Sequence, residues 1–257
     1  MQNIFDLSNR VAVVIGGTSG IGRAIATGLA AHGASVVPTG RRVEKINEVC
    51  CEIEKMGRST LRQAADVTCR KSVDELRDQV LAQFHHIDIL VNAAGYTFRE
   101  PVATITEEQW AALMNTNLNG ALRSCQSFYE PLKAGGKGRV INIASASCYV
   151  AFSGVAAYGA SKSALLALTR SLACEWAHDG ISVNAIAPGV FPTELNSSLI
   201  LGTPRGAELL MRTPMGRFGR VEELIGVAVL LASDGASFLT GQCIPVDGGY
   251  LASGVNQ

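Results

Sequence analysis

The chain has 257 residues and a mass of 27.0 kDa, which suit one large α/β domain or two small ones. A chain of this size buries roughly 70% of its surface on folding, so neither disulfides nor a metal are needed to stabilise it. Twenty-two Lys plus Arg balance twenty-two Asp plus Glu, which removes the electrostatic case for a nucleic-acid or membrane-surface binder.

Hydrophobic residues make up 47% of the chain and mean hydropathy is +0.22, values that exclude disorder. No apolar run reaches the roughly 18 residues of a membrane span, and Met1–Asp6 carries no basic region ahead of a hydrophobic one. Seven Cys without a Cys-x-x-Cys pair and four His without ligand spacing argue against any metal site. Unpaired thiols in a chain without a leader fit the cytoplasm.

Short Val/Ile-rich runs alternate with helical patterns from end to end. Val11–Ile15, Ser35–Val37, Ile87–Val91, Val140–Ile143, Ile181–Ile186 and Cys243–Val246 predict strands buried on both faces, with Leu61–Ala65 a weaker candidate. Between them, Ile21, Ile25 and Leu29 repeat at helical spacing, as do Val73, Leu76, Val80 and Leu81. Residues 107–129 and 156–178 predict two longer helices. The expected fold is a single-domain (1–257) Rossmann-like, doubly wound parallel sheet with helices on both faces. Thr193–Arg220 breaks the rhythm, with Leu195, Leu199–Leu201 and Leu209–Met211 set between Pro- and Gly-containing turns. It predicts short helices forming a substrate lid over 194–216, or else a packed surface loop.

The first strand runs into Gly16-Gly17-Thr18-Ser19-Gly20-Ile21-Gly22 and then a helix. Glycines at 16, 20 and 22 permit a tight turn and close approach of backbone to a pyrophosphate at a helix N-terminus. A nicotinamide-nucleotide unit commonly places an acid on the adenosine ribose about 20 residues later. Here that position is Gly40, followed by Arg41 and Arg42. The two arginines either solvate the next helix or pair with a 2′-phosphate, the latter favouring NADP(H) with NAD(H) still possible. Pro38, within the second predicted strand, lacks the N–H that an interior strand needs.

Tyr158 and Lys162 fall one helical turn apart, where an ammonium favours a neighbouring phenolate. Ser145 ends the strand before them, at the sheet edge where such folds bind ligands, and can donate to a carbonyl oxygen that gains charge.

With these motifs in order, the chain resembles the short-chain dehydrogenase/reductase family over roughly residues 5 to 250. The 16–22 turn is similar to the family's T-G-x-x-x-G-x-G, with Ile15 in place of Thr. The resemblance implies an adenine contact at Asp66 and Val67. It places a sheet-steadying motif at Asn92-Ala93-Ala94-Gly95, where Ala93 replaces the family's second Asn. It implies a catalytic tetrad of Asn117, Ser145, Tyr158 and Lys162, with Lys162 also holding the nicotinamide ribose. Pro188, Gly189 and Thr193 would lie over the nicotinamide.

The implied reaction is hydride transfer between NADP(H) and a carbonyl or secondary alcohol of a sugar, polyol or small ketone. A 3-oxoacyl-thioester reductase is the alternative, for which Arg99, Arg205 and Arg212 offer a basic landing patch. A non-catalytic nucleotide-binding sensor is the alternative of another class. Ser145, Ser147, Tyr149 and Tyr158 are the expected substrate contacts, with Tyr96 and Phe191 as further walls.

The apolar positions Trp110, Leu113, Leu118, Leu122 and Phe128 on one long helix, and Leu165, Leu166, Leu168, Leu172 and Trp176 on the other, predict a homo-oligomer, a tetramer as in relatives.

Overall fold

In the computed structural model, which describes residues 3–194 and 196–254, the apolar runs form one sheet. Its strands are β1 (Val11–Ile15), β2 (Ser35–Thr39), β3 (Ile89–Asn92), β4 (Arg139–Ile143), β5 (Ser182–Pro188) and β6 (Cys243–Val246). The order is β2-β1-β3-β4-β5-β6 and each neighbouring pair is parallel. The chain reverses direction across the sheet between β1 and β3, so a crevice opens at the carboxyl ends of those strands.

The helices are α1 (Gly20–Ala31), α2 (Val43–Lys55), α3 (Arg70–Phe84), α4 (Glu107–Met114), α5 (Gly120–Ala134), α6 (Ala156–Trp176), α7 (Ser197–Ile200), α8 (Pro204–Met211) and α9 (Ile225–Ala232). Strand alternation separates the core into two layers. Ala12, Val14, Val36, Ile89 and Ile141 face α1, α2 and α9 through Ile25, Leu29, Ile53 and Val229. Val11, Val13, Val37, Leu90 and Val140 face α3, α5 and α6 through Leu76, Phe128, Leu172 and Trp176.

Leu61–Ala65 is not a strand, and Pro38 explains why. In β2 the amides of Ser35 and, by alternation, residues 37 and 39 face β1, while Val36 N–H points outward to Ser59 O. Position 38 would donate next on that outer edge, and proline has nothing to give. Only scattered bonds follow, from Ala65 N–H to Gly40 O and from Thr39 Oγ1 to Gln63 O.

The long helix predicted over 107–129 is interrupted. A capping box of Thr106 and Gln109 starts α4, and a π-helical turn at Asn115–Asn119 separates α4 from α5. Three asparagines in five residues weaken the α-helical preference there, and π-turns of this kind recur at functional sites. Burial also corrects the reasoning behind the oligomer. Leu113, Phe128, Leu165, Leu166, Leu172 and Trp176 are all buried within the single chain. The monomer core accommodates most of the apolar surface assigned to a partner.

Candidate active site

Close packing excludes a side chain at Gly16 and Gly22, and positive φ favours glycine at 16 and 20. A side chain at Gly16, at φ +78°, would place Cβ 2.5 Å from Ala94 N, and one at Gly22 would lie 2.1 Å from Gly16 O. Ala93 is the residue that closes on this turn, its Cβ 3.2 Å from the Cβ position of Gly22, so a small side chain suits the place. Gly20, at φ +51°, faces Thr193, whose Cγ2 would be 3.2 Å from a Cβ there. The segment 188–193 thus folds over the start of α1. Thr193 is held by Asn196, whose Oδ1 accepts from the Thr193 amide at 2.8 Å. Pro188 ends β5, and Gly189 passes so close to Asp247 that a Cβ would sit 2.7 Å from its Cα.

At the end of β2, the space beside Gly40 is bounded by the Thr18 hydroxyl, 3.1 Å from a Cβ position there. Arg42 donates to Ser19 Oγ at 3.1 Å, which brings a guanidinium onto the glycine turn. Arg41 is exposed, and its charge helps to hold the Asp66 carboxyl below the usual range. The larger cause of that lowering is the hydrogen bonding of Thr68, whose hydroxyl and amide both donate to Asp66 Oδ1, at 2.7 and 2.9 Å. Val67 is buried, packed where a side chain on Gly120 would collide with it.

A buried polar chain ties the central strands to α6. Asn92 Nδ2 donates to Asn142 Oδ1 (2.9 Å), Asn142 Nδ2 to Thr169 Oγ1 (2.9 Å), and Thr169 Oγ1 to Leu165 O (2.8 Å). Within this polar network Asn92 Oδ1 is buried without a partner among the described residues. Asn92 Nδ2 also donates to Sγ of the buried Cys125 at 3.4 Å, a thiol that burial pushes up to about 12.

Asn117 sits at the centre of the π-turn and is almost fully buried. Its side chain grips the main chain of Tyr96 at both ends, accepting from the amide (3.0 Å) and donating to the carbonyl (2.9 Å). It also donates to Ser161 Oγ at 3.2 Å, on the helix that carries Tyr158 and Lys162. A Cβ on Gly95 would lie 3.2 Å from Asn117 Oδ1 and 3.5 Å from Lys162 Nζ, so these two groups meet across one glycine. Neither the Tyr96 main-chain clamp nor Ser161 is signalled in the sequence, because backbone partners leave no residue-type signature.

Ser145 follows β4 with extended backbone, and its hydroxyl accepts from the Ser147 amide at 3.1 Å. Tyr158 lies in the first turn of α6, half-buried. Burial raises its phenol above the ordinary value, and a hydrogen bond with Ser145 works in the opposite direction. The net direction is up, where the pairing with Lys162 had predicted a lowering. Lys162 is itself buried, its Nζ 5.7 Å from the Tyr158 ring centroid and donating to Ile143 O at 2.7 Å. Desolvation pulls that ammonium down to about 8.

The expected substrate contacts divide. Ser145 and Tyr158 share a hydrogen bond at the cleft. Ser147 Oγ is instead buried with no partner, near Gly159, and Tyr149 turns its hydroxyl to Cys243 on the edge strand β6. Phe191 is buried under Gly219. Leu195, part of the predicted lid, lies outside the described residues, while α7 and α8 supply the short helices expected there.

The glycine cradle, the guanidinium of Arg42 on Ser19 and the amine facing Gly95 all lie at the carboxyl ends of β1, β2 and β3. This fits an extended dinucleotide with its pyrophosphate at the start of α1. Among the described residues no group of three or more potential metal ligands occurs, and no helix is long and apolar enough to cross a membrane.

Comparison with known proteins agrees with this geometry. The family model described as Enoyl-(Acyl carrier protein) reductase matches residues 16–251. Gluconate 5-dehydrogenase of Gluconobacter oxydans (strain 621H) is 37% identical over 98% of this chain and 98% of its own length. The 2-dehydro-3-deoxy-D-gluconate 5-dehydrogenase of Escherichia coli (strain K12) is 39% identical over 96% of this chain and 98% of its own. The crystal structure of a gluconate 5-dehydrogenase from Burkholderia cenocepacia J2315, in complex with NADP and tartrate, superposes with a TM-score of 0.94. It is 37% identical and covers 98% of both chains. The chain therefore belongs to the short-chain dehydrogenase/reductase family, NAD(P)-dependent oxidoreductases acting on CH–OH and C=O groups.

Proposed function

We propose that this chain interconverts a secondary alcohol and a ketone on a sugar, sugar acid or polyol, with NADP(H) preferred over NAD(H). The observation that carries the reading is the convergence of Asn117, Ser145, Tyr158 and Lys162 at the carboxyl ends of β3 and β4. Bound nicotinamide supplies the hydride chemistry. Ser145 orients the substrate oxygen, and Tyr158 gives it a proton in reduction or takes one in oxidation. An ordinary phenol is already protonated at neutral pH, and burial shifts Tyr158 further in that direction, so it stands ready to donate. Lys162 holds the nicotinamide ribose, and Asn117 fixes the 95–96 turn against α6 while holding a water that links Lys162 to solvent.

For the cofactor, the 16–22 turn carries the pyrophosphate, with Thr18, Ser19 and Ile21 beside it. Asp66 and Val67 meet the adenine, Asn92, Ala93 and Gly95 line the ribose side, and Pro188, Gly189 and Thr193 cover the nicotinamide. Arg41 reads the 2′-phosphate, with Arg42 as its alternate; the relative bound to NADP supports that choice.

Residues 194–216 act as the substrate lid of this one domain, and the chain works in the cytoplasm on a small molecule. A homotetramer is the proposed assembly. Its support is now narrower: Trp110 is 40% exposed on α4, and Leu118, Leu122 and Leu168 are half-buried. A monomeric mass by light scattering at micromolar concentration would overturn it.

An acyl-thioester reductase is less well supported, because Glu208 neutralises one of the three arginines of the basic patch, Arg212. The test of the whole reading is a screen of sugar acids, polyols and cyclic ketones with both cofactors. Turnover confined to acyl thioesters, or absent throughout, would overturn it.

A further inference from the structure

The structure sorts the three arginines of the basic patch. Arg212 is ion-paired with Glu208 one turn away on α8, at 2.9 Å. Arg205, at the start of α8 and half-buried, has no carboxylate partner among the described residues; its Nη1 donates to Ser153 O at 3.0 Å. Arg99, on the loop after β3, packs on the next residue. A Cβ on Gly154 would lie 3.0 Å from Arg99 Cγ and 3.3 Å from its Nε. Among the described residues Arg99 makes no ion pair, and the neighbouring Glu100 is turned away to accept from Thr104.

Two guanidinium groups thus converge on the Ser153–Gly154 turn, neither of them ion-paired with a carboxylate among the described residues. Like charges held at one turn repel, and an anion placed there relieves both. Gly154 makes the approach possible, since its φ of +78° and the Arg99 contact each disfavour a side chain.

This turn is also well placed for substrate. It connects the strand end bearing Ser145 to the helix turn bearing Tyr158, and Glu100 N–H donates to Gly154 O at 2.8 Å to fix it. Phe152 packs on Tyr250 with ring centroids 5.8 Å apart, and the charge of Arg205 reaches that same phenol. The cation pair therefore stands on the segment that joins Ser145 to Tyr158, between α8 and the loop after β3.

We infer that Arg99 and Arg205 receive the carboxylate of an acidic polyhydroxy substrate while its reacting carbinol lies at Ser145 and Tyr158. The inference rests on the sugar oxidoreductase reading and selects, within it, sugar acids over neutral polyols. A planar guanidinium pairs with a carboxylate through two parallel N–H···O bonds, which a hydroxymethyl end of the same chain length cannot accept.

The test compares D-gluconate with D-glucitol, its neutral counterpart, at saturating NADP+ in the full-length protein. The wild type is expected to favour gluconate in kcat/KM. Arg205→Gln and Arg99→Gln should each raise KM for gluconate about 10- to 100-fold and leave glucitol within about twofold, with kcat little changed. Arg205→Lys should recover part of the loss, and Arg212→Gln should behave as wild type. Unchanged NADPH binding and melting temperature show that each variant is folded. Equal losses on both substrates, or a wild type that oxidises glucitol and ignores gluconate, would overturn the carboxylate assignment and leave the oxidoreductase reading standing. No turnover of any sugar or polyol would instead overturn that underlying reading.

Discussion

Lys162 Nζ donates to the carbonyl oxygen of Ile143 at 2.7 Å, which pins the first turns of α6 to the end of β4 two residues before Ser145. A main-chain carbonyl solvates the ammonium without cancelling its charge, as a carboxylate would. The amine therefore stays available to a cofactor while its position is set by the sheet. The cost of that arrangement is desolvation, and it has a pH signature.

Burial lowers Lys162 from an ordinary 10.5 to about 8 in the folded chain. Below about pH 8 both states hold the proton and the full burial penalty applies. Between about 8 and 10.5 the unfolded chain holds a proton that the folded chain has released, so stability rises with pH. The slope contributed by this group approaches about 1.4 kcal/mol per pH unit. Urea unfolding of wild type and Lys162→Met between pH 7.5 and 9.5 measures it. The wild type should gain stability relative to the variant, and parallel curves would show that Lys162 titrates normally.

Tyr158→Phe keeps the ring and removes only the proton carrier. Turnover should fall at least about 10²-fold while NADPH affinity stays near wild type. Stopped-flow turnover with a cofactor-binding titration separates the two, and near-normal turnover would remove Tyr158 from the proposed role.

Arg41→Ala should weaken NADPH and spare NADH. A charge-assisted pair with phosphate is worth about 1.5–3 kcal/mol, or about 10- to 150-fold in affinity. Fluorescence titration of both cofactors is the measurement. An equal effect on both, or a loss found only in Arg42→Ala, would move the phosphate contact away from Arg41.

Thr169→Val preserves shape in α6 and removes the acceptor for Asn142 Nδ2 in the buried chain. Leaving that amide unsatisfied should cost about 1–3 kcal/mol, read as a lower urea midpoint with an unchanged m-value. An unchanged midpoint would mean that the amide finds another partner on relaxation.

Much of this was legible because it rests on local chemistry. All six strands are bounded to within two residues by apolar runs, and the Gly16, Gly20 and Gly22 spacing announces a tight turn that favours glycine. What failed was set by long-range geometry. The π-turn at Asn115–Asn119 changes one hydrogen-bond register inside a helical pattern that remains periodic on either side. The direction of the Tyr158 shift depends on burial, and the spacing from Lys162 carries no information about burial. Tyr149 sits close to the reacting Ser145 in sequence, yet its hydroxyl reaches Cys243 on another strand. Leu61–Ala65 has strand-like composition, but its pairing is decided by a neighbour some 25 residues earlier.

That neighbour has a counterpart at the opposite edge. In β6 the amides of residues 244 and 246 alternate toward β5, which leaves the ring nitrogen of Pro245 on the open side. Both outermost strands therefore carry a proline whose missing donor faces away from the sheet. An incoming strand from another molecule would find a gap in the donor row at either end. The six-stranded sheet thus carries at each end the feature that disfavours edge-to-edge pairing, a break in its outward row of donors.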